Sequence, residues 1–181
     1  SNPISSCQIP SSLSKHVLAF YPFTNGSIDD FSGNNHHLSN SSSAHAASDR
    51  ANNPSCAFEF ENLTNSAELL TTSNTSFLDN LSEFTVSLWY EPLGTSLITR
   101  YEGLIERDTI GNRLNPTAQW SIALYDCRKA LFGRTSAVWD NHLFHLNCTK
   151  EYIERTNKWH HLVATYNSDG IEMTLYRNGV L

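Results

Sequence analysis

The clearest pattern of hydrophobic and polar positions lies near the end of the chain, over residues 158–179. The run 159–166 is rich in aromatic and β-branched residues and too short for a stable helix, which favours a strand. The next four residues, 167–170, have the composition of a tight turn. Residues 171–177 then alternate, with Ile171, Met173 and Leu175 on one face. The sequence therefore predicts a β-hairpin whose second strand has one buried side.

Similar runs predict further strands at 17–23, 56–60, 68–72, 84–90, 96–101 and 120–125, with 144–148 as a partner for the last of these. Residues 24–55 and 102–116 are interpreted as polar loops. Cys56, Phe58 and Phe60 are expected to point inward. In the 84–90 strand one set of side chains shares a face (Phe84, Val86, Leu88 and Tyr90) and another set takes the opposite face (Thr85, Ser87 and Trp89).

Short strands at regular spacing, with turn residues between them and no convincing amphipathic helix, are typical of an all-β fold. We expect two antiparallel sheets packed face to face as a β-sandwich. Nine side chains are predicted to be largely buried in it: Phe58, Phe60, Phe84, Val86, Leu88, Trp120, Ile122, Val163 and Leu175.

Several of these runs resemble one known family. Lys-Trp-His-His-Leu-Val-Ala-Thr-Tyr at 158–166 and Leu-Tyr-Arg-Asn-Gly-Val at 175–180 resemble the signature hairpin of laminin-G-like jelly-roll domains, of the concanavalin A-like sandwich superfamily. Residues 18–23 with Asp-Phe-Ser-Gly-Asn at 30–34 are similar to its opening strand and loop, and 83–90 to its central strand. The resemblance implies a jelly roll. It does not decide function, because this architecture hosts binders, enzymes and spacers.

Length and the chain ends set the expected domain plan. Residues 1–15 are rich in Ser and Pro and are interpreted as a linker or amino-terminal extension, followed by one jelly-roll domain over 16–181. Asn178-Gly179 is a strong signal for a two-residue hairpin turn, which needs φ > 0 at both positions. Only Val180 and Leu181 follow it, so we expect the natural domain to continue and this chain to lack its C-terminal strands.

The charge composition excludes some classes of binding partner. A net charge of −6 with only 12 Lys and Arg argues against nucleic acid or an anionic membrane surface. No apolar run approaches the ~20 residues that span a bilayer. The first residues lack an export signal, so we expect any such signal to have been removed or to lie outside this chain.

Cysteine usage suggests an oxidising compartment. Cys7, Cys56, Cys127 and Cys148 lack the spacing of a zinc site, and their even number in an acidic, Asn/Ser/Thr-rich chain favours secretion. Three pairings are possible. We favour Cys127–Cys148, because both lie in one segment of strand, loop and strand, and closing it would contribute roughly 3 kcal/mol in the simple entropic model. Four free thiols is the alternative.

The acidic loop 29–35 is the candidate metal site. Asp29, Asp30 and Asn34 offer hard oxygen ligands around Gly33, as Ca²⁺ requires. In the resembling family such a loop often joins a structural calcium site, with Asp30 and Asn34 at matching positions. We therefore predict that this loop binds a structural Ca²⁺ or a similar hard cation. The alternative is a turn in which Asx side chains bind their own backbone.

Histidines and acids indicate no catalytic centre. Adjacent His160 and His161 face opposite sides of a strand and cannot easily share a metal ion, and we expect His161 to hydrogen-bond within the fold. Glucanases of this fold place Glu, Asp and Glu at alternate positions. Here Glu106 and Asp108 alternate, but Ile110 follows. We therefore predict a non-enzyme.

With catalysis set aside, the remaining function is ligand binding. A sugar-binding site needs an aromatic ring beside polar side chains. Two segments have that composition and supply the predicted ligand contacts: Tyr101, Arg107, Trp139, Asn141 and His142. We predict an extracellular or cell-surface module, joined to neighbouring domains of a larger surface protein, that binds a glycan or an extracellular protein. The alternatives are a structural spacer and a diverged glycoside hydrolase.

Overall fold

The structure is a computed structural model that describes residues 12–61, 68–79, 81–93, 102–107, 119–125, 129–135, 157–168 and 172–181. The chain divides into two compact units, Ser1–Phe77 and Leu78–Leu181. In the described part of the chain, no helix has the length and apolar character needed to cross a membrane.

The first unit is built from short strands: β1 (Ser39–Asn40), β2 (His45–Ala47), β3 (Ala57–Glu59) and β4 (Leu70–Thr71). β1 pairs antiparallel with β4, and β2 pairs antiparallel with β3. One 3₁₀ turn, Thr24–Gly26, precedes them and another occupies Ser76–Leu78. The buried residues described in this unit are Pro22, Asp30, Ala44 and Ala57. The rings of Phe23 and Phe58 pack with centroids 5.1 Å apart.

Three predictions for this unit are wrong. Residues 17–23 form no strand, because their backbone is bound instead by the loop around Asp30. The polar segment 24–55 contains β1 and β2. Phe60 is 49% exposed, since β3 ends at Glu59 and the alternation predicted for 56–60 does not continue past that end; Ala57 is the buried residue of this strand.

The second unit contains two antiparallel sheets. The first has the order β10–β9–β5, and the second has the order β6–β7–β8. Their bounds are β5 (Glu83–Tyr90), β6 (Glu102–Arg107), β7 (Gln119–Tyr125), β8 (Lys129–Thr135), β9 (His160–Asn167) and β10 (Glu172–Arg177). β9 pairs with β5 on one side and with β10 on the other, so the predicted hairpin is confirmed.

One hydrophobic core joins the two sheets of this unit. β7 contributes Trp120, Ile122 and Leu124, and the other sheet contributes Tyr90, Leu162, Ala164 and Leu175. The rings of Phe84 and Trp120 lie 5.4 Å apart across it. Ile122 and Leu162 are fully buried, and each such side chain stabilises the fold by roughly 1.5–3 kcal/mol. The all-β antiparallel sandwich predicted from the sequence is confirmed.

The predicted core is confirmed for Trp120, Ile122 and Leu175, which are at most 7% exposed. Phe58, Phe84, Val86, Leu88 and Val163 are only half-buried. Val163 was assigned to the wrong face, because the register sets Leu88 opposite Leu162 and leaves Val163 opposite the exposed Ser87.

Two elements of the second sheet differ from the prediction. Residues 102–107 form β6 where a loop was expected, and the described partners of β7 are β6 and β8. The predicted partner strand 144–148 and the predicted strand 96–101 lie outside the described residues. β6 begins at Glu102, directly after the second of these. β6 carries a bulge between Gly103 and Ile105, which interrupts the alternation that a sequence pattern relies on.

The turn after β10 agrees with its sequence signal. Asn178 and Gly179 have φ of 51° and 79°, the positive values that a type I′ turn requires at both positions. Arg177 and Val180 exchange backbone hydrogen bonds of 2.8 and 3.0 Å across it. The carboxamide Oδ1 of Asn178 also accepts the backbone N–H of His161 at 2.9 Å.

Candidate functional site

The side of the β10–β9–β5 sheet that faces away from the core carries polar and aromatic side chains. Alternation places alternate residues of β5 there, and the register aligns them with β9 and β10. We call this surface the outer face, and it consists of Thr85, Ser87, Trp89, His161, Val163, Thr165, Thr174 and Tyr176. All of these residues are exposed or half-buried.

Trp89 is the most prominent side chain of the outer face. It is 46% exposed at the end of β5. Its indole stacks on the imidazole of His161, with centroids 4.8 Å apart and planes inclined by 15°. His161 Nε2 lies 2.8 Å from Ser87 Oγ, which confirms the predicted hydrogen bonding of His161. The Trp89 ring is therefore held in one orientation by a neighbour that is itself fixed.

Residues with hydroxyl groups continue along the outer face from this aromatic pair. Thr85 and Ser87 are exposed on β5, and the hydroxyls of Thr165 and Thr174 bond to each other across β9 and β10. Tyr176 is half-buried on β10, one residue before the Arg177 that begins the turn. An apolar ring face beside hydroxyl and imidazole groups is the combination that binds an amphipathic ligand, one with both C–H and O–H surfaces.

The loop predicted to bind calcium is organised by Asp30, which is only 6% exposed. Its Oδ1 accepts the backbone N–H groups of Phe20 and Ser32 at 2.9 and 2.8 Å. Its Oδ2 accepts the Ser32 hydroxyl at 2.8 Å and the His36 N–H at 3.0 Å. Burial alone would raise the pKa of Asp30, but these hydrogen bonds outweigh it, so the pKa lies below its ordinary value.

Two neighbours complete this arrangement. The Tyr21 hydroxyl donates to the His36 carbonyl at 2.6 Å. Burial raises the pKa of Tyr21 to about 12, and the negative charge of Asp30 adds to the effect, so the phenol keeps the proton that it donates. Asn34 Nδ2 donates to the carbonyls of Val17 and Leu18 at 3.1 and 3.0 Å, which fixes the loop to the preceding segment.

These contacts do not fit a calcium ligand at Asp30. Each carboxylate oxygen already accepts two hydrogen bonds, so its lone pairs are in use. Asp29 is exposed and accepts the Ser27 hydroxyl at 2.8 Å. Among the described residues, no cluster of three His, Cys, Asp or Glu side chains suited to a metal ion is found. The alternative drawn from the sequence, an Asx turn that binds its own backbone, describes Asp30; calcium binding with Asp29, Asp30 and Asn34 stays a prediction.

Arg107 is not displayed for a ligand as predicted. Its side chain is 9% exposed, and its guanidinium donates to the Leu78 carbonyl at 3.2 Å and pairs with Asp79. It therefore supports the start of the second unit. The other predicted ligand contacts, Tyr101, Trp139, Asn141 and His142, and the predicted Cys127–Cys148 disulfide lie outside the described residues. Cys56 carries a free thiol.

A laminin G family model, described as the concanavalin A-like lectin/glucanases superfamily, matches residues 63–181, more than half of the chain. The chain belongs to the concanavalin A-like superfamily. A search of curated proteins found no match. Membership accounts for the antiparallel sheets of the second unit. It leaves the activity open, because the superfamily includes both lectins and glucanases. The predicted domain bounds, 16–181, stay a prediction.

Within this superfamily fold, the outer face was only partly visible from the sequence. The alternation of β5 correctly placed Trp89 on the side opposite Phe84, Val86 and Leu88. Its exposure was not predicted, because alternation alone does not tell which face a second sheet covers. The neighbouring residues indicated the exposure of Trp89. Thr85 and Ser87 precede it at alternate positions on the same face, and neither is a residue type expected in a core.

Proposed function

We propose that the chain is a non-catalytic, glycan-binding module of an extracellular or cell-surface protein, and that the outer face around Trp89 binds the sugar. One observation carries the proposal: Trp89 is 46% exposed, its indole stacks on His161, and hydroxyl side chains continue along the same face of the sheet. The exposed part of a Trp ring that is held in one orientation can stack on the apolar face of a ligand.

The chemistry of a pyranose matches this surface. One face of the sugar ring presents C–H groups, which stack on an aromatic ring, and the edge presents hydroxyls, which need hydrogen-bond partners. On the outer face, the exposed residues Thr85 and Ser87 carry hydroxyls in the same strand as Trp89, and that of Ser87 also bonds to His161. Because the indole is already oriented by His161, little side-chain entropy is lost when the sugar binds.

Two further parts of the proposal are supported by the sequence. The glucanase pattern of alternate acids is absent where it comes closest, at Glu106 to Ile110, and this supports a non-catalytic role. The even number of cysteines and the Asn/Ser/Thr-rich, acidic composition support an extracellular location.

A screen of the chain against a broad panel of glycans and matrix proteins, with and without EDTA, tests the proposal. We expect binding to a restricted set of glycans that EDTA leaves unchanged, because the outer face contains no metal ligand set among the described residues. Binding to proteins alone would overturn the glycan assignment. Release of shortened sugars would identify an enzyme, and no binding at all would identify a spacer.

The melting temperature of the same protein, with and without Ca²⁺, tests the calcium prediction independently of glycan binding. A calcium ion held by the 29–35 loop would raise the melting temperature, because a ligand that binds only the folded state stabilises it. The calcium prediction from the sequence requires this rise, whereas the hydrogen bonds already accepted by Asp30 favour no change on adding Ca²⁺. A rise in the melting temperature that EDTA reverses would confirm calcium as a structural ligand, and an unchanged melting temperature would contradict it.

A further inference from the structure

The chain contains six Asn-x-Ser/Thr sequences, the acceptor pattern for N-glycosylation: Asn25, Asn40, Asn62, Asn74, Asn80 and Asn147. Three of the asparagines lie in the described residues: Asn25, Asn40 and Asn74. All three are exposed, so exposure does not distinguish them. Their hydrogen bonds do.

Asn74 has the geometry of an activated acceptor. Its Oδ1 accepts the backbone N–H of Ser76 at 2.9 Å and the Ser76 hydroxyl at 2.7 Å. Two donors on the carbonyl oxygen polarise the carboxamide and make its N–H more acidic. Within the part of the chain that the structure describes, Nδ2 of Asn74 has no hydrogen-bond partner, so this nitrogen faces solvent in an exposed turn.

Asn40 has the same turn but an occupied nitrogen. Its Oδ1 accepts the Ser42 N–H at 3.0 Å and the Ser42 hydroxyl at 2.9 Å. Its Nδ2, however, donates to the Ala44 carbonyl at 2.7 Å, and Asn40 belongs to β1, which pairs with β4. Transfer of a sugar to this nitrogen requires that contact to be rearranged.

Asn25 lacks the turn. The hydroxyl of Ser27, which completes the acceptor pattern, donates instead to Asp29 Oδ2 at 2.8 Å. Asn25 itself takes φ of 56° within the Thr24–Gly26 turn. The hydroxyl is therefore not available to polarise the Asn25 carboxamide without loss of its bond to Asp29.

We propose that Asn74 is the preferred N-glycosylation site among the three described acceptor sequences, and that Asn40 and Asn25 are poor acceptors in the folded chain. The co-substrate is an oligosaccharide linked to a lipid through pyrophosphate. Nδ2 of Asn74 forms a bond to the anomeric carbon of the first sugar, while the bond from that carbon to the pyrophosphate oxygen breaks. The lipid pyrophosphate leaves with the electron pair, and the amide gives one proton to a base of the transferring enzyme.

The biological relevance of this site rests on the extracellular location in the proposed function, but its test does not. Unmodified folded chain from a bacterial host is incubated with a purified oligosaccharyltransferase and a lipid-linked oligosaccharide. Peptide mass spectrometry then gives the initial rate at each asparagine. Three short synthetic peptides, one around each sequence, report the intrinsic preference of the enzyme without the fold.

In the folded chain we expect Asn74 to react about tenfold faster than Asn40 or Asn25, the factor for breaking one hydrogen bond before transfer. Among the peptides the three rates should be similar. Ser76→Thr should keep the rate at Asn74, and Ser76→Ala should abolish it while leaving Asn40 unchanged. Equal rates in the folded chain would overturn the proposal, and so would the same ranking among the peptides. This experiment does not measure glycan binding, so a failure of the Asn74 proposal and a failure of the proposed function can be distinguished.

Discussion

Substituting Asp30 by Asn should open the 17–38 loop of the first unit. The carboxylate accepts four hydrogen bonds, from the N–H groups of Phe20, Ser32 and His36 and from the Ser32 hydroxyl. An amide keeps one acceptor oxygen and replaces the other by an NH₂ group. The amide oxygen can still accept from Phe20 and Ser32. The Ser32 hydroxyl can rotate to accept from the new NH₂ group, but the His36 N–H cannot, because it is only a donor.

The magnitude follows from these partners. A hydrogen bond to a charged group contributes roughly 1.5–3 kcal/mol, and an unsatisfied buried donor costs roughly 1–3 kcal/mol. The variant loses one such bond at His36 and weakens the bonds that remain, because the acceptor is no longer charged. We expect the free energy of local opening to fall by about 3 kcal/mol, which corresponds to roughly hundredfold faster amide exchange at residue 36.

Hydrogen exchange resolved by residue is the assay, and Asp29→Asn is the matched control. Asp29 is the adjacent carboxylate, but it is exposed, and its bond to the Ser27 hydroxyl survives in the amide. Its other contact, with His37 at 3.2 Å, joins two exposed side chains. The control should change exchange at residue 36 by less than about threefold, as surface substitutions usually do. If both variants exchange alike at residue 36, Asp30 does not organise the loop.

Acid should reproduce the effect of the substitution. The pKa of Asp30 is lowered in the folded state, so its ionised form contributes stability that is fully present above the ordinary carboxyl pKa of about 3.9. That stability is lost as the pH falls through the lower, folded-state value. Protection at residue 36 should therefore persist from neutral pH to about pH 4 and fall below it. In Asp30→Asn this step should be missing; its persistence there would assign it to another group.

Two further predictions concern the second unit, which contains all four tryptophans and can be followed by their fluorescence during denaturant unfolding. Leu162→Ala should lower the free energy of unfolding by about 2–5 kcal/mol, whereas Val163→Ala on the opposite face should cost less than about 1.5 kcal/mol; equal losses would contradict the face assignment. Gly179→Ala should cost about 1–2 kcal/mol, because φ of +79° is strained for a residue with a Cβ atom, and an unchanged midpoint would contradict the turn.

The sequence predicted those elements whose pattern is local. The hairpin of β9 and β10 follows from period-two alternation and turn residues within about twenty positions, and the positive φ of Asn178 follows from its place before Gly179. Residues 17–23 were mistaken for a strand because their partner is a side chain, Asp30, rather than another strand. β6 was missed because its bulge at Gly103 breaks the alternation.

The candidate site depended on contacts that a linear pattern does not contain. Arg107 looked like a ligand contact in a charged loop, yet it pairs with Asp79, 28 positions earlier in the chain. Trp89 and His161 stack across two strands that are 72 positions apart by the register of β5 and β9. Alternation gives the face of each residue, and only the register decides which residues meet.

The most direct test of the central claim is the affinity of Trp89→Ala for the glycan that binds best in the screen, measured by titration calorimetry. A sugar that covers roughly 50–100 Å² of the exposed indole would gain about 2 kcal/mol from burial and stacking. Trp89→Ala should therefore bind about thirtyfold more weakly. Trp89→Phe should recover most of this loss, and Phe31→Ala, which removes another exposed aromatic ring, should bind normally. Unchanged affinity in Trp89→Ala, with the variant still folded by circular dichroism, would contradict the account.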